Sequence, residues 1–324
     1  MRSLAIVIMI FANSFPYVAG FEPTGFLRLL MSLAAPLFIF LSGVTSALNE
    51  TSRARNLTTA AALFISACFI DTVIWQIIPL YTFDVLYCIA AAALINGIIK
   101  YTLRGQIALI FSTLILYAAI RGFLPYENEI IELSLEETDA ISLGHALSQA
   151  FTNGWFPFLP WMSFAFIGRL YGMHREKIDP RLLKLRPILV ACLPIAVLLD
   201  YTDSQSLMRM GYIEVFYPPS AFYLLLAFIW IAVLLSFTDR LSKIEPSSFF
   251  LMIGKSSLLI YILHAALNHY FFEEKNLSLN SLEYSVLIAT LLVVFHIVSI
   301  LHQRSKTHTL YKLCPILVRK IFGI

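Results

Sequence analysis

Residues 4 to 21 read LAIVIMIFANSFPYVAGF, a run that begins as a membrane-spanning helix and then contains Asn13 and Pro16. An unpaired amide is costly in hydrocarbon, so Asn13 calls for an explanation. The 324-residue chain is 59% hydrophobic and 13% charged, against about 45–50% and 25% in soluble domains. Much of its surface must therefore face lipid. The composition predicts an all-α, polytopic integral membrane protein and excludes the soluble globular classes.

A helix that crosses a bilayer needs about 20 mostly apolar residues. Ten segments satisfy this requirement: 3–20, 25–48, 57–79, 82–99, 105–123, 155–172, 185–201, 218–238, 249–272 and 282–302. Four scattered cysteines and the absence of histidine pairs at metal-ligand spacing give no metal motif. The sequence predicts one transmembrane domain over 1–324, embedded in a lipid bilayer, with neither a metal nor a nucleic-acid partner.

The distribution of charge predicts the orientation. With a cytoplasmic N-terminus, 17 of the 23 Lys and Arg residues fall in inner connections, as the positive-inside rule requires. Both termini are then cytoplasmic, and a bacterial inner (cytoplasmic) membrane is expected. The long outer connection at about 124–154 is acidic, without Lys or Arg. It is interpreted as a solvated loop containing an amphipathic helix after Ser134, or alternatively as an acidic binding surface.

Three predicted spans carry polar side chains at one depth. At about 1.5 Å per residue, Asn13 lies roughly 10 Å below the outer end of its helix, and Asp71 and His264 each lie roughly 12 Å below theirs. Ionisable residues inside a membrane usually face a cavity or a partner. The spacing therefore indicates a shared polar chamber.

Five further polar residues lie closer to the predicted outer surface: Glu22, Arg28, Asp84, Asn268 and His269. Together with the deeper group they would line a pocket that opens outward, with Arg28, Asp84 and His269 contacting a substrate. Ordinary interfacial positions explain Glu22, Asp84 and His269 equally well. A structural ion pair between Asp71 and Arg28 is an alternative interpretation.

Basic residues gather at the predicted inner surface. Arg169 ends one span and Lys255 begins another, and Arg240 and Lys243 lie in an inner connection. They are either snorkelling anchors or a site for the phosphates of a cytosolic cofactor. The chain lacks a Gly-rich phosphate loop and a nucleophile elbow, so any chemistry must come from side chains gathered across helices.

Several segments resemble a known family in the order in which they occur. They are RSLAIVIMIFANSFPY (2–17), AAPLFIFLSGVTSAL (34–48), FDVLYCIAAAALI (83–95), FPFLPWMSFAFIGRLYG (156–172), YPPSAFYLLLAF (217–228) and IGKSSLLIYILHAALNH (253–269). The family is that of the catalytic domain of heparan-alpha-glucosaminide N-acetyltransferase, within the wider transmembrane acyltransferases. Each motif alone is a hydrophobic string, and it is their order that makes the similarity specific.

The resemblance implies a membrane acetyltransferase that takes acetyl-CoA from the cytosol and acetylates a sugar or glycan on the far side. Asn13 falls at the family's functionally required asparagine, which would explain its retention in an apolar helix. The family's catalytic histidine, between the first two spans, has no counterpart here. The chain reads VAGFEPTGF in that region.

These expectations combine into a mechanism. Asn13 hydrogen-bonds the thioester oxygen or oxyanion, His264 acts as general base with Glu22 as the alternative, and Asp71 orients the imidazole. Arg169, Lys255, Arg240 and Lys243 hold acetyl-CoA, and Tyr217 is among the outer aromatics that would meet the sugar. A transporter or flippase, and an inactive scaffold of the same fold, remain open alternatives, as does the oligomeric state.

Overall fold

The computed structural model describes residues 1–18, 25–48, 53–99, 102–124, 132–137, 142–207, 219–237, 249–273 and 278–305, apart from the side chains of 25, 26, 28 and 200–207. Its elements are α-helices, in agreement with the predicted all-α class, and within these ranges β-structure is limited to two isolated bridges. The helices are α1 (Arg2–Ser14), α2 (Gly25–Ser32), α3 (Ala34–Leu48), α4 (Arg53–Phe69), α5 (Val85–Ile98), α6 (Leu103–Phe123), α7 (Leu143–Ser148), α8 (Phe158–Leu207), α9 (Ala221–Ser236), α10 (Phe249–Lys255), α11 (Ser257–Leu267) and α12 (Ser281–Ser305).

Five helical segments in the described ranges are long and apolar enough to cross a membrane: Leu29–Leu48, Arg53–Ile74, Leu103–Phe123, Phe158–Leu199 and Ser281–Ser305. The bent pair α10 and α11 is a sixth candidate, and three further apolar helices are shorter than 18 residues. The membrane class is therefore supported by the helices themselves. The number of ten spans and the orientation of the termini stay predictions.

α3 and α8 pack with their backbones in close contact, because glycines lie where the two helices cross. A Cβ atom on Gly43 would lie 1.9 Å from the carbonyl oxygen of Ala165, and one on Gly168 would lie 2.0 Å from that of Phe40. Small residues allow this approach in membrane bundles. The packing fixes α3, which carries residues of both cavities described below.

α8 corrects one expected connection. The basic stretch at 173–184, expected to separate two spans, is itself helical, and only His174 departs from helical geometry there (φ −121°, ψ 16°). Charged side chains such as Arg175 and Lys177 are good helix formers. The chain therefore kinks at His174 and continues as a helix.

α10 and α11 meet at Ser256 with a bend of 86°. The side-chain amide of Gln303 on α12 donates to the carbonyl oxygen of Lys255 (3.3 Å) and to Oγ of Ser256 (3.2 Å). These bonds satisfy polar groups that the break would leave unpaired. The continuous span expected over 249–272 is therefore two helices.

Contacts between helix termini define two ends of the bundle. At the Arg2 end, the guanidinium of Arg2 donates to Thr45, and that of Arg53 donates to the carbonyl oxygens of Gly97 and Ile98. At the opposite end, called the Tyr81 end, Tyr81 bonds to Ser142. The helix expected after Ser134 at this end is not formed there: residues 134–137 are a turn and α7 begins at Leu143. Ser142, whose Oγ accepts from the backbone N–H of His145, caps α7.

Candidate active site

A cavity of about 560 Å³, called the large cavity, lies toward the Tyr81 end of the bundle. Six polar residues singled out in the sequence line it: Asn13, Asp71, Asp84, His264, Asn268 and His269. They come from α1, from the turn after α4, from the residue before α5, and from α11 with the turn that follows it. The structure thus brings together side chains that are far apart in the chain. The most distant pair, Asn13 and His269, is separated by 256 residues.

Two π-helical turns form part of the wall of the large cavity. α4 continues into Ile70–Ile74, which carries Asp71, and α11 continues into Asn268–Glu273, which carries His269. A π turn widens a helix locally, and such turns are frequent at functional sites. Asp71 and His269 therefore lie at helix ends that depart from regular α-helical geometry.

The connection between α4 and α5 also has an unusual backbone. Gln76, Leu80 and Phe83 have φ values of 55°, 71° and 51°, which non-glycine residues seldom adopt. Strain of this kind persists where surrounding bonds over-determine it, often at functional sites. Here the bonds come from residues 133–135 and 155–156, which pair with the backbone of residues 76–83.

The two aspartates in the cavity wall are each paired with a tyrosine. Tyr87 donates to Oδ2 of Asp71 (2.5 Å), and Tyr261 donates to Oδ2 of Asp84. Asp71 is 1% exposed, so its hydrogen bond is needed to offset the loss of hydration. Arg28, the other partner considered for Asp71, lies in α2, but its side chain falls outside the described set.

His264 is almost completely buried, with 1% exposure. Its Nε2 and the Oδ1 of Asn268, one turn later on the same wall, are buried without a hydrogen-bond partner in the described part of the chain. The ring of Phe295 faces the imidazole edge-on, with 6.5 Å between ring centroids. Buried polar atoms normally find partners, so this pair is available to a molecule bound in the cavity.

His269 is less buried than His264 and belongs to a different arrangement. Its Nδ1 is 3.0 Å from Oε2 of Glu273, and the hydroxyl of Tyr17 donates to Oε1 of the same carboxylate (3.2 Å). Trp75 packs edge-on against the imidazole at 5.3 Å between centroids. All four residues line the large cavity.

The acidic connection at about 124–154 contributes to the large cavity. Glu132 lines it, and the backbone N–H of Ile78 donates to the carbonyl oxygen of Leu133 (2.8 Å). Partial burial raises the pKa of the Glu132 carboxyl, a hydrogen bond with Trp155 opposes the shift, and the negative charge of Glu273 adds to it. The loop, interpreted from sequence mainly as solvated, thus contributes a side chain to the site.

A second cavity of about 270 Å³, called the small cavity, extends toward the Arg2 end. Arg2 and Arg55 line it together with the apolar side chains Leu41, Leu63, Ile89 and Leu258. Phe38, Val85 and Tyr261 line both cavities. We call these three residues the neck, because they border both spaces.

Two of the predicted phosphate-binding residues lie beside the small cavity without lining it. Arg169 is buried and donates to Oγ of Ser46 (3.1 Å), which does line it. Lys255 is exposed, two residues before the lining residue Ser257. Arg240, Lys243, Glu22 and Tyr217 lie outside the described residues.

Sequence reasoning missed several lining residues. Arg2 and Arg55 were used only among the basic residues that predicted the orientation, and Tyr261 and Glu273 were not considered for the site. One signal was present, because Glu273 follows His269 by four residues and a carboxylate at that spacing reaches its neighbour on a helix.

The family profile described as heparan-alpha-glucosaminide N-acetyltransferase, catalytic, matches residues 1–191, more than half of the chain. The chain belongs to this family. A comparison with curated individual proteins finds no match. Membership in the heparan-alpha-glucosaminide N-acetyltransferase family indicates a membrane acetyltransferase, and the family in general uses acetyl-CoA as donor and a sugar as acceptor.

The family match divides the candidate site into two parts. Asn13, Asp71 and Asp84 fall within it, whereas His264 and His269 lie beyond its end at residue 191. Both imidazoles of the large cavity therefore come from the part of the chain that the heparan-alpha-glucosaminide N-acetyltransferase profile leaves uncovered. Within the described residues, no group of three or more His, Cys, Asp and Glu side chains is arranged to hold a metal ion.

Proposed function

We propose that the protein transfers an acetyl group from acetyl-CoA in the small cavity to a sugar or glycan acceptor in the large cavity. The observation that carries the proposal is the neck: two cavities, one with a basic and apolar lining and one with an acidic and aromatic lining, share Phe38, Val85 and Tyr261. A thioester on an extended arm can react in one space while its nucleotide stays in the other.

The lining of the small cavity suits the donor. Arg2 and Arg55 provide positive charge for the phosphates of acetyl-CoA, and the apolar side chains between them and the neck suit the pantetheine arm. Arg169 supports this wall through Ser46, and Lys255, Arg240 and Lys243 are proposed to add positive charge around the mouth. With the predicted orientation, the Arg2 end faces the cytosol, where acetyl-CoA is made.

The lining of the large cavity suits the acceptor. Trp75 and Trp155 offer aromatic faces, and Asp71, Asp84 and Glu132 offer hydrogen-bond acceptors for hydroxyl or amino groups. Arg28, Tyr217 and Glu22 are proposed to complete the outer part of this site. A volume of about 560 Å³ accommodates a sugar unit together with the acetyl end of the donor.

Asn13 is proposed to act on the thioester, and a histidine of the same cavity on the acceptor. The Asn13 side chain is exposed to the cavity and supplies N–H donors for the carbonyl oxygen, on which negative charge develops as the acceptor attacks. Such donors are worth about 10²–10³ in kcat. The partnerless Nε2 of His264 lies in the same cavity, and Asp71 borders it. Two imidazoles are available as the base, His264 and His269.

The test uses the full chain purified in detergent, with acetyl-CoA labelled on the acetyl group. Glucosamine and N-acetylglucosamine are matched acceptor probes, the first with an amine and the second with hydroxyls only. CoA release with labelled product supports the proposal, and Asn13→Ala should lower kcat about 10²–10³-fold at an unchanged protein level. Binding of acetyl-CoA without turnover would identify an inactive scaffold, and no binding would favour a transporter.

A further inference from the structure

We propose that His269, oriented by Glu273, is the general base that takes the proton from the acceptor nucleophile. This inference rests on the proposed acetyl transfer and assigns its proton step to one of the two imidazoles. It places the base in the wall of the large cavity, in a segment beyond the family match.

The geometry fixes which ring nitrogen is available. Nδ1 of His269 lies 3.0 Å from Oε2 of Glu273, so the N–H of the neutral ring is assigned to Nδ1 and donates to the carboxylate. The lone pair is then on Nε2. The side chain of His269 is 19% exposed and that of Glu273 is 45% exposed, so an acceptor and solvent water can both reach the pair.

Glu273 is itself held in position. Tyr17 donates to Oε1 of Glu273 (3.2 Å), the oxygen that His269 does not use. Tyr17 follows Asn13 by four residues at the end of the first helix. The carboxylate therefore connects the imidazole to the same segment that presents the amide, which keeps the base and the oxyanion donor on one wall of the cavity.

His264 lacks this support. It is 1% exposed, it faces Phe295, and in the described residues no carboxylate contacts it. An imidazolium formed there would be a buried charge without a counter-ion, which is costly. The other titratable groups facing the large cavity are Asp71, Asp84, Glu132, Tyr17 and Tyr261. Of the two histidines, His269 is the one whose protonated form is stabilised by a contacting carboxylate.

The reaction transfers one proton through His269 in two steps. The acceptor amine or hydroxyl attacks the thioester carbon, a carbon–nitrogen or carbon–oxygen bond forms, and Nε2 of His269 takes the proton. The tetrahedral intermediate then collapses, the carbon–sulfur bond breaks, and the imidazolium returns the proton to the CoA thiolate. The products are the acetylated acceptor, CoA thiol and neutral imidazole, with Glu273 negatively charged throughout.

The experiment compares kcat, KM for acetyl-CoA and the pH dependence of kcat in the full chain in detergent, with glucosamine as acceptor and with water alone. His269→Gln should lower kcat about 10²–10⁴-fold while acetyl-CoA still binds with wild-type affinity. Glu273→Gln keeps a hydrogen-bond acceptor but loses the charge, so a smaller loss in kcat, with KM for acetyl-CoA unchanged, is expected. His296→Gln is the matched control, because His296 stacks on Phe249 away from both cavities, and it should behave as wild type.

The outcomes separate this inference from the function on which it rests. If the wild-type protein is active and His269→Gln has the same kcat, only the assignment of the base is wrong. Loss of the acid limb in His264→Gln, with that limb intact in His269→Gln, has the same meaning. A wild-type protein that binds acetyl-CoA and neither hydrolyses it nor acetylates an acceptor overturns both.

Discussion

The hydroxyl of Tyr261, which lines both the large and the small cavity, donates a hydrogen bond to the carboxylate of Asp84. α11 and the start of α5 are thereby joined across the neck. Asp84 lines only the large cavity, whereas Tyr261 borders both, so the bond lies beside the path that a thioester arm would follow in the proposed reaction.

Replacing Tyr261 by Phe keeps the ring and removes the donor. Asp84 then loses a partner for a largely dehydrated carboxylate, which costs about 1–3 kcal/mol. We expect a lower Tm in detergent. Tyr284→Phe is the matched control, because its hydroxyl donates to the backbone oxygen of Phe11 (2.9 Å) away from both cavities. Equal effects of the two substitutions would contradict the special role of the Asp84 bond.

Arg55→Gln should weaken donor binding by removing a positive charge from the small cavity. We expect KM for acetyl-CoA to rise about tenfold, equivalent to about 1.4 kcal/mol. KM for S-acetylpantetheine, which lacks the nucleotide phosphates, should stay the same. Arg104→Gln is the control, because Arg104 is exposed and lines neither cavity. An equal rise for both thioesters would count against phosphate recognition by Arg55.

Gly168→Ala should destabilise the bundle, because the new Cβ would lie 2.0 Å from the carbonyl oxygen of Phe40 and neither backbone can move alone. Forced overpacking typically costs about 1–3 kcal/mol. Gly122→Ala is the control, since nothing lies within 4 Å of its added Cβ and alanine is the better helix former. Thermal unfolding should give a lower Tm for the first variant only; matching Tm values would disprove the close packing.

Tyr87→Phe should reduce acetyl transfer as well as stability, because it takes the donor from Asp71 in the wall of the large cavity. Tyr171→Phe breaks a similar bond to Asp179 (2.6 Å) away from both cavities. It should lower Tm and leave kcat unchanged. If both variants lose activity in proportion to their Tm, the Asp71 bond is structural only.

Helical rise explains why part of the site is predictable from sequence. Asn13, Asp71 and His264 were assigned a common depth by counting 1.5 Å per residue from the helix ends, and all three line one cavity. Depth depends on the chain's own periodicity. It does not depend on how the helices pack.

The lateral arrangement could not be read in the same way. Glu273 meets Tyr17 only because the turn after α11 lies beside the end of α1, and that contact follows from packing over most of the chain. The π turns at Asp71 and His269 carry no local sequence signal as strong as proline or glycine, whereas Gly254 and Ser256 do mark the position of the bend. Arg2 and Arg55 were visible as charges, but their shared cavity was not.

The elbow at Ser256 has a consequence for which parts of the protein depend on one another. A chain that turns through 86° in an apolar slab exposes peptide groups that no acyl chain can solvate. Such a bend is stable only where other protein groups satisfy those peptide groups. The side-chain amide of Gln303 on α12 provides the hydrogen bonds. The bend in the segment that carries His264 and His269 therefore depends on α12, although α12 contributes no residue to either cavity.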